Sequence, residues 1–478
     1  MTSVVMWFRR DLRLYDNKAL IKCVNLAGDA GSVFPVFCIS PSLIERAPLV
    51  KLSYLASVLR ELDHNLESKL NFIYGDPAIE IPAFAKQVDA RTVVATREFS
   101  PFGIQVDSKV GDSLRQAGIE LILGDSCYLV RPDKIANKTG EPYKVFAPFF
   151  TELRRRGYPC PSGMPKLTCI GDRVTYDVRA KEIIELTRQY DSDQFVDTER
   201  ACVEAVDGFR DSQLTDYEAN RNLIFEQHTT QLSPALRFGL IHPRQIAERV
   251  KDSPGADSLL RSLCWREFFA AITFSQPRSL WNNYNNDFDE FVWDSTENSD
   301  VKAKFEAWKS GMTGFPIVDA GMRQLKSTGW IPNRIRMIVA SFLVKDLHLD
   351  WRLGAKFFLD TLIDGDVASN NQSWQWVGGS GVDCAPYFRI FNPTIQAKKF
   401  DPDGKYIKSW IPELRSLAPS MVHEPELGKN VGLLKANAYP ARIVDHNIER
   451  QTSLSRYAHM RHITKLSQVS EVAVDEAG

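Results

Sequence analysis

Short apolar segments alternate with helix-forming segments over the first 125 residues, and this alternation limits the possible folds more than any other feature. The apolar segments have the composition of strands and are SVVMWF, SVFPVFCIS, LNFIYGD, RTVVATRE and IELILGD. Helical patterns separate them, beginning near Lys18 and continuing at about 51–70, 79–88 and 107–117. Strands that alternate with helices predict a parallel α/β sheet of the Rossmann-like kind.

The carboxyl ends of these strands indicate where a ligand would lie. Ligands of parallel sheets lie beyond those ends, which here places residues 8–13, 38–41 and 97–103 around one opening. Neither GxGxxG nor GxxxxGK[ST] occurs in the chain, so the sequence does not predict either of these phosphate-binding turns.

A second feature is the stretch 328–393, where charged and amide side chains lie among large apolar residues. Apolar residues fall on more than one side of a helix predicted from Asn333 to Leu343, which indicates a buried helix. An unpaired buried polar group costs about 1–3 kcal/mol, so the polar groups need partners. The pattern fits a ligand pocket or a helical core with a few satisfied polar groups, and both remain open at this point. The residues concerned are Trp330, Trp351, Trp374, Trp376, Arg334, Arg336, Asp364, Asp366, Asn370 and Asn371.

These features predict two domains, and the fold class is α/β plus all-α. We expect an α/β domain over 1–130, an interdomain linker over 131–207 and a helical domain over 208–464. The periodic pattern weakens in the linker, and helical periodicity dominates after it. Residues 465–478 have the composition of a mobile tail.

Composition and charge exclude several classes of protein. Hydrophobic residues make up 44% and charged residues 25%, as in ordinary globular proteins, and no apolar run reaches the roughly 18 residues that span a membrane. The N-terminus carries arginines and aspartates too early for a signal peptide. Eight cysteines without a CxxC pair argue against a zinc or iron–sulfur site and for a reducing compartment, so we expect a cytoplasmic location. With a net charge of −1, nucleic-acid binding would require a local basic patch.

Six ordered blocks, spread over more than 380 residues, carry a resemblance to a known family. The blocks are WFRRDLRLYDN at 7–17, GEPYKVFAPF at 140–149, TTQLSPALRFG at 229–239, WREFF at 265–269, GMTGFPIVDAGMRQL at 311–325 and the stretch 328–393. The chain resembles the photolyase/cryptochrome family, and most of all the bacterial-type cyclobutane pyrimidine dimer (CPD) photolyases. The resemblance implies an N-terminal antenna domain and a helical domain that holds one FAD non-covalently. It also implies light-driven repair of UV-damaged DNA, in which excited, reduced FAD donates an electron to the dimer.

The resemblance further implies which residues hold FAD. Arg336 would pair with Asp364, and Asn370 would face the reactive central nitrogen of the flavin, where an amide can donate or accept a hydrogen bond. Asparagine at this position goes with photolyases in the family, which favours repair. Taken alone, TTQLSP is also a good helix N-cap sequence. The implied FAD-binding set is Tyr217, Thr229, Thr230, Gln231, Leu232, Ser233, Arg266, Asn333, Arg336, Asp364, Asp366 and Asn370.

Tryptophans carry two more implied roles. Electrons would reach the flavin through Trp293, Trp351 and Trp374, although ordinary core packing would also explain all three. The dimer would be flipped out of the duplex, a step for which photolyases are a known example. It would stack on aromatic faces, at roughly 1–3 kcal/mol per base. The implied pocket consists of Trp265, Trp376, Asn333 and Met337, and the implied catalytic residues are Asn333, Met337, Trp265 and Asn370.

DNA contact is expected to be electrostatic and directed at the backbone. The implied DNA-binding residues are Trp265, Arg334, Trp376, Arg389, Lys398 and Lys399, with Lys405 and Lys408 as further candidates. For the four lysines a solvated basic face is the alternative. The branch of the family that repairs (6-4) photoproducts has histidines around Asn333, and none occurs there in this chain.

One residue departs from the pattern of the family. Many CPD photolyases have a glutamate three positions before the tryptophan of WREF, where its carboxylic acid can donate a hydrogen bond to the dimer. This chain has Ser262 there, and serine cannot supply a carboxylic proton. Ser262 therefore keeps open the alternative of a cryptochrome-like blue-light photoreceptor with little or no repair.

The resemblance leaves the second chromophore open. A deazaflavin or a folate would bind in the antenna domain near residues 97–103, where SPFG leans slightly toward deazaflavin. We expect a monomer without a metal site. An ordinary flavin oxidoreductase fits poorly, because the chain lacks the fingerprint of an NAD(P)H-binding site.

Overall fold

A computed structural model describes residues 2–190, 194–226, 228–430, 432 and 438–475. Five parallel strands form one sheet in the order β3-β2-β1-β4-β5. The strands are β1 Ser3–Phe8, β2 Ser32–Ile39, β3 Asn71–Tyr74, β4 Ala90–Thr96 and β5 Glu120–Gly124. The predicted parallel α/β sheet is confirmed.

The central strand β1 is apolar from Val4 to Phe8, which fits a strand with both faces covered. Val4 to Phe8 are all buried, as expected for a parallel sheet with helices on both sides. Polar caps start several helices: the side chain of Asn17 accepts from the Leu20 N–H, and Ser100 accepts from the Gly103 N–H. The helices here are α1 Lys18–Ala27, α2 Pro41–Arg46, α3 Leu49–Asn65, α4 Pro77–Gln87 and α5 Pro101–Gln116.

The stretch 131–207, predicted as an interdomain linker, contains regular structure. It forms α6 Phe146–Arg156, α7 Val178–Leu186 and the first part of α8 Glu199–Ser212. Between these helices, isolated bridges join Ile170 to Val33 and Tyr176 to Phe72. The stretch therefore packs on the sheet.

The rest of the described chain is helical. Its helices are α9 Tyr217–Asn220, α10 Ser233–Phe238, α11 Pro243–Val250, α12 Ala256–Ser275, α13 Ser299–Ser310, α14 Pro316–Thr328, α15 Asn333–Ser341, α16 Trp351–Thr361, α17 Val367–Gly378, α18 Pro393–Phe400, α19 Lys405–Trp410, α20 Pro419–Val422, α21 Pro425–Asn430 and α22 His446–Asp475. A π-helix over Phe342–Asp346 follows α15 directly. Short 3₁₀ helices cover Pro132–Lys134, Thr187–Tyr190, Pro277–Leu280, Asn286–Glu290 and Pro412–Leu414.

The contacts divide the chain into two compact units. The first contains Met1–Glu218, Thr229–Pro277 and Ile363–Ala368, and the second contains Ala219–His228, Arg278–Leu362 and Ser369–Gly478. The sheet belongs to the first unit. The core of the second unit is built on α14, α15, the π-helix, α16 and α17, and its largest fully buried side chains include Trp308, Trp351 and Phe342.

The C-terminal end bears on two predictions. Residues 465–475 of the predicted tail continue α22, whereas 476–478 lie outside the described residues. Within the described ranges, no helix has both the length and the apolar character needed to cross a membrane.

Candidate functional site

In the first unit, α12 carries the WREFF block and joins it to the GEPYKVFAPF block. The ring of Trp265 stacks face to face on Phe146, with centroids 3.9 Å apart and planes 3° apart. Phe146 begins α6 and is buried, while Trp265 is half-buried. The packing holds the Trp265 indole in one orientation, as a stacking platform requires.

Ser262 lies one turn before Trp265 on the same helix. Its hydroxyl donates to the carbonyl of Ser258 at 3.1 Å and accepts from the Tyr217 hydroxyl at 3.4 Å. The two sequence-predicted residues Tyr217 and Ser262 are therefore in contact.

The guanidinium of Arg266 lies in a buried setting with only part of its donors paired among the described residues. Its Nη1 donates to the Cys127 carbonyl at 2.9 Å and pairs with Glu267 at 3.3 Å, and its guanidinium lies 4.6 Å from the Tyr128 ring centroid. Its Nη2 is buried and has no hydrogen-bond partner among the described residues. A buried guanidinium nitrogen without a partner costs free energy, so the arrangement suits an anionic ligand.

The Asp-Gly-Asp turn at 364–366 meets basic side chains within the first unit. Arg10 pairs with Asp366 at 2.8 Å, and the Nε of Arg237 donates to the Gly365 carbonyl at 2.8 Å. Burial, with Arg237 as the next cause, lowers the pKa of the Lys51 ammonium to about 7. Arg237 and Lys51 were missed by sequence reasoning. Arg237 lies inside a recognised block, but Lys51 lies in an ordinary amphipathic pattern.

The block TTQLSPALRFG ends at Gly239, which packs against the backbone of Arg10 in the same region of the first unit. Thr229, Thr230, Gln231 and Ser233 are half-buried, and Leu232 is buried. Gly239 has a positive φ of 77°, and a Cβ there would collide with the backbone of Arg10. This close approach explains why glycine ends the block.

In the second unit, α15 carries four predicted residues on its first turns. The amide of Asn333 lies 3.8 Å from the Met337 sulfur, and the Nε of Arg336 donates to the Ile331 carbonyl at 2.9 Å. Arg334 makes two hydrogen bonds to the Asn222 side-chain oxygen, at 3.1 and 2.9 Å, and lies 4.5 Å from the centroid of a phenylalanine ring in α18. The predicted pair of Arg336 with Asp364 remains a prediction.

The amide of Asn370 is fixed in orientation by its own neighbours. Its Nδ2 donates to the Ala355 carbonyl at 3.0 Å and to the Asn371 side chain at 2.9 Å. Both hydrogens of this nitrogen are therefore engaged, and Oδ1 is the atom that can accept from a further donor. On the next turns of α17, Trp376 is half-buried and its indole N–H is buried without a partner in the described ranges.

The three predicted electron-transfer tryptophans lie in the second unit. Trp351 is buried and donates to the Asn283 side chain at 3.0 Å. Trp374 is buried, and a Cβ on Gly354 would collide with its ring. Trp293 is half-buried and its ring centroid lies 4.3 Å from that of Phe291.

A fourth tryptophan, Trp308, was not selected from the sequence. Its ring centroid lies 6.2 Å from that of Trp374, and it is fully buried. Trp308 ends the sequence DSTENSDVKAKFEAW, which follows Trp293, so its proximity to the predicted chain could not be inferred from spacing alone.

The predicted basic residues differ in their surroundings. Arg389 and Lys399 are exposed, and Lys399 lies 5.3 Å from the centroid of the Phe400 ring. Lys398 is paired with Glu424 at 2.6 Å, which reduces its net charge contribution. Lys405 lies 6.0 Å from the ring centroid of an exposed phenylalanine, Phe225.

Comparisons with known proteins match both parts of the chain. A family model described as DNA photolyase matches residues 4–166, and one described as the FAD binding domain of DNA photolyase matches residues 259–459. A deoxyribodipyrimidine photo-lyase of Synechococcus sp. is 35% identical over 96% of this chain and 97% of its own length. The chain belongs to the DNA photolyase family. The family predicted from the sequence is thus confirmed.

Other members of the DNA photolyase family match over the same extent. Photo-lyases of Agrobacterium fabrum and Escherichia coli are 36% and 35% identical, each over 96% of this chain and over 98% and 99% of their own lengths. The crystal structure of a class III photolyase from Agrobacterium tumefaciens has a TM-score of 0.86 and 34% identity, and covers 97% of this chain and 98% of its own.

Two further solved structures widen the comparison. An archaeal photolyase from Sulfolobus tokodaii, described with two FAD molecules, has a TM-score of 0.82 and 31% identity over 96% of this chain and 100% of its own. A cryptochrome from Synechocystis has a TM-score of 0.84 and 27% identity over 95% of this chain and 99% of its own. The Rossmann-like N-terminal domain and the helical FAD domain predicted from the sequence are confirmed.

Proposed function

We propose that this chain is a deoxyribodipyrimidine photo-lyase that repairs cyclobutane pyrimidine dimers in UV-damaged DNA with light. The observation that carries the proposal is the match to curated photo-lyases at about 35% identity over nearly the whole chain. Donation of an electron after absorption of light is the chemistry that FAD supplies when it is bound and reduced. The protein supplies binding, orientation and access.

Residues of this chain fit the binding of FAD. The buried Nη2 of Arg266, which has no partner among the described residues, suits a phosphate oxygen. Thr229, Thr230 and Ser233 are half-buried, and their hydroxyls can donate to one. We propose that these residues hold FAD together with Tyr217, Gln231, Leu232, Asn333, Arg336, Asp364, Asp366 and Asn370.

Asn370 would favour one protonation state of the flavin ring that it faces. Its Nδ2 hydrogens are engaged by Ala355 and Asn371, so it presents an acceptor oxygen. An acceptor stabilises an N–H on the ring and disfavours a bare nitrogen. A side chain held in this way favours the reduced, protonated cofactor that repair needs.

Trp293, Trp351 and Trp374 would conduct electrons to the cofactor. The buried Trp351 is held by a hydrogen bond to Asn283, and the buried Trp374 by packing on Phe358, which would keep both indoles in place for electron transfer. The half-buried Trp293 is the member best placed to exchange electrons with solvent.

Trp265, Trp376, Asn333 and Met337 would form the pocket for the dimer. The Trp265 ring is backed by Phe146, so it can offer a rigid face for stacking. The indole N–H of Trp376, buried without a partner in the part of the chain that the structure describes, can donate to a base carbonyl, which would relieve the cost of its burial.

DNA would be held along its backbone by basic residues of the second unit. Arg334, Arg389 and Lys399 are the strongest candidates, because Lys398 is already paired with Glu424. The resulting affinity would fall steeply with salt. We further infer a cytoplasmic monomer, a second chromophore that is a deazaflavin or a folate, and the domain boundaries predicted from the sequence.

Illumination of the reduced protein with dimer-containing DNA tests the proposal. Restored thymines support repair, and the dark reaction is the control. A cryptochrome-like photoreceptor is the second candidate, favoured by Ser262 at the position of the usual glutamate and by the similarity to the Synechocystis cryptochrome. A protein that photoreduces its flavin but restores no thymine contradicts repair and favours the photoreceptor.

A further inference from the structure

The π-helix Phe342–Asp346 carries a lysine in the interior of the second unit. Lys345 is only 1% exposed. π-Helical turns are rare and often occur at functional sites, because the wide turn displaces side chains from their helical positions. A charged lysine buried in this way is destabilising unless its ammonium has partners, and a methionine or leucine could fill the same space without that cost.

The ammonium of Lys345 is directed at one loop. Its Nζ donates to the backbone carbonyl of Arg389 at 3.2 Å and lies 5.0 Å from the centroid of the Tyr387 ring. Both residues belong to the loop 379–392, between α17 and α18. The contact combines a charge-assisted hydrogen bond with a cation–π interaction, and both strengthen where water is excluded.

The 379–392 loop has a buried side and an exposed side. Tyr387 is buried, stacks on Tyr457 with centroids 4.7 Å apart, and shares a 3.0 Å hydrogen bond with Ser453. The next two residues reverse this pattern, since Phe388 is 65% exposed and Arg389 is exposed. The loop therefore presents an aromatic and a basic side chain to solvent from a backbone that is anchored beneath them.

The same loop is tied to Trp376. The backbone N–H of Ala385 donates to the Trp376 carbonyl at 3.3 Å. Trp376, proposed to contact the lesion, lies in the last turn of α17. The loop bonded to it carries Arg389, proposed to contact the DNA backbone, and rests on Lys345.

We propose that Lys345 is a positioning residue for DNA recognition, which holds the 379–392 loop so that Arg389 meets the DNA backbone while Trp376 meets the lesion. The inference rests on the proposed function, because it takes DNA as the ligand of that surface. As a buried positioning residue, Lys345 would touch neither DNA nor flavin. Its carbonyl contact fixes the backbone from which the Arg389 side chain projects.

The charge of Lys345 adds a second effect that can be measured. Burial lowers its pKa to about 8, the neighbouring carboxylate of Asp346 opposes this shift, and Arg389 adds to it. Burial raises the pKa of the Cys384 thiol, so that group stays neutral near pH 8, and it raises the pKa of Asp346 to about 6, so that carboxyl is ionised there.

The remaining facing groups come from the loop and from α22. Burial raises the pKa of Tyr387, which therefore stays neutral. On α22, His446 pairs with Asp346 at 2.5 Å and Glu449 pairs with a histidine of the segment after the π-helix at 2.7 Å. As pH rises above 8, the main change is thus that Lys345 loses its positive charge. The cation–π contact of Lys345 with Tyr387 is lost with it.

The test uses the FAD-loaded protein with the variants Lys345→Met and Lys345→Arg. Kd is measured for dimer-containing and undamaged duplexes between pH 6.5 and 9.5 at constant salt. In the wild type, affinity for damaged DNA should fall as pH rises through about 8. Lys345→Met should bind damaged DNA about tenfold more weakly at pH 7 and lose this pH step. Lys345→Arg should keep most of the affinity and have no step, since its guanidinium does not deprotonate.

Lys399→Met is the matched control, because Lys399 is an exposed cation expected to contact phosphate directly. It should weaken both duplexes alike and keep the pH step. Flavin photoreduction and repair per bound dimer should be unchanged in Lys345→Met.

Either of two results would overturn the inference. One is a Lys345→Met protein whose affinity for damaged DNA and pH profile match the wild type. The other is a wild type whose affinity shows no step near pH 8. The second measurement decides the matter even if Lys345→Met does not fold. A wild type that binds damaged DNA but repairs no dimer under light contradicts the proposed function instead, and leaves the pH step as a separate result.

Discussion

A substitution of Trp374 gives the most direct test of the proposed electron-transfer chain. Trp374 is buried, and its ring centroid lies 5.0 Å from that of Phe358. Trp374→Phe should abolish or greatly slow photoreduction of oxidised flavin, because phenylalanine is far harder to oxidise. Repair by chemically reduced protein should survive, since the tryptophans only deliver electrons to the cofactor. Time-resolved absorption after a light pulse measures the first effect, and dimer repair under anaerobic conditions the second.

Trp308 offers the matched control for this variant. It contacts Trp374 and is equally buried, but it is outside the predicted chain. Trp308→Phe should cost stability, as truncation of a buried aromatic does, while photoreduction continues. If Trp308→Phe stops photoreduction and Trp374→Phe does not, the chain is assigned to the wrong tryptophans.

Ser262 is the residue at which this chain departs from its relatives in chemistry. Ser262→Glu should raise the quantum yield of repair about two- to fivefold, because a carboxylic acid can donate a hydrogen bond to the dimer as it gains negative charge. The acid must be protonated, and a desolvated pocket favours this by raising the carboxyl pKa. Damaged-DNA affinity should change less, since stacking and phosphate contacts supply most of it.

Ser262→Gln is the control for the Ser262→Glu variant. Glutamine has nearly the same length but no acidic proton, and it also gives up the serine contacts to Ser258 and Tyr217. Yield measured at limiting light should rise for glutamate alone. Because the glutamine amide can still donate a neutral hydrogen bond, an equal rise in both variants would show that the acidic proton is not needed. A fall in both would show that the serine contacts matter more than the acid.

At the scale of elements, the sheet and its helices could be predicted because their signals are local. Each strand of the first 125 residues contains a short apolar run, and turn residues bound it. The helices of 131–207 were not predicted, although Phe146, Phe149, Phe150 and Leu153 follow helical spacing in α6. The short length of these helices and the proline-rich sequence between α6 and α7 concealed the pattern.

The π-helix could not be predicted from the sequence for a different reason. The first residues of its sequence, FLVKD, continue the apolar pattern of α15, so the sequence predicted one regular helix from Asn333 to Leu343. A change of helical register leaves no local signal and depends on how Lys345 and Asp346 are bonded in three dimensions. The same holds for Asn283, Ala355 and Phe146, which hold the predicted site residues but lie far from most of them in sequence.

Glu267 ties α12 to the segment before α6 and makes that junction sensitive to pH. It is buried beside Arg266, and burial raises the pKa of its carboxyl to about 7. A group whose pKa is higher in the folded state contributes stability at low pH and loses it as pH rises through the folded value. Relative to Glu267→Gln, the wild type should lose about 2–3 kcal/mol of unfolding free energy between pH 5 and pH 8.

Urea unfolding of both proteins at several pH values measures this difference. Other titrating groups contribute equally to both proteins and cancel in the comparison. A constant difference between wild type and Glu267→Gln across this pH range would mean that Glu267 is ionised at low pH in the folded protein.

At the scale of the whole molecule, similarity over nearly the full length predicts that the protein purifies yellow or blue, with about one FAD per chain and no covalent bond. Because FAD would bind the folded chain and not the unfolded one, its removal should lower Tm by about 5 °C, and added FAD should restore it. The flavin absorbance per polypeptide and thermal unfolding measure the two effects.

The variant Arg266→Met applies the same two measurements, FAD uptake and Tm, to the arginine that best fits FAD binding. Methionine fills much of the same space, but it removes the buried nitrogen that has no partner among the described residues. The variant should take up FAD more weakly, while its Tm without FAD stays equal to or above that of the wild type, because an unsatisfied buried donor is gone. This opposite response of the two states distinguishes a ligand-binding arginine from a structural one. An Arg266→Met protein that is less stable without FAD but binds FAD normally would show that Arg266 instead stabilises the fold through Cys127 and Glu267. A colourless wild type that takes up no FAD would overturn the flavin site altogether.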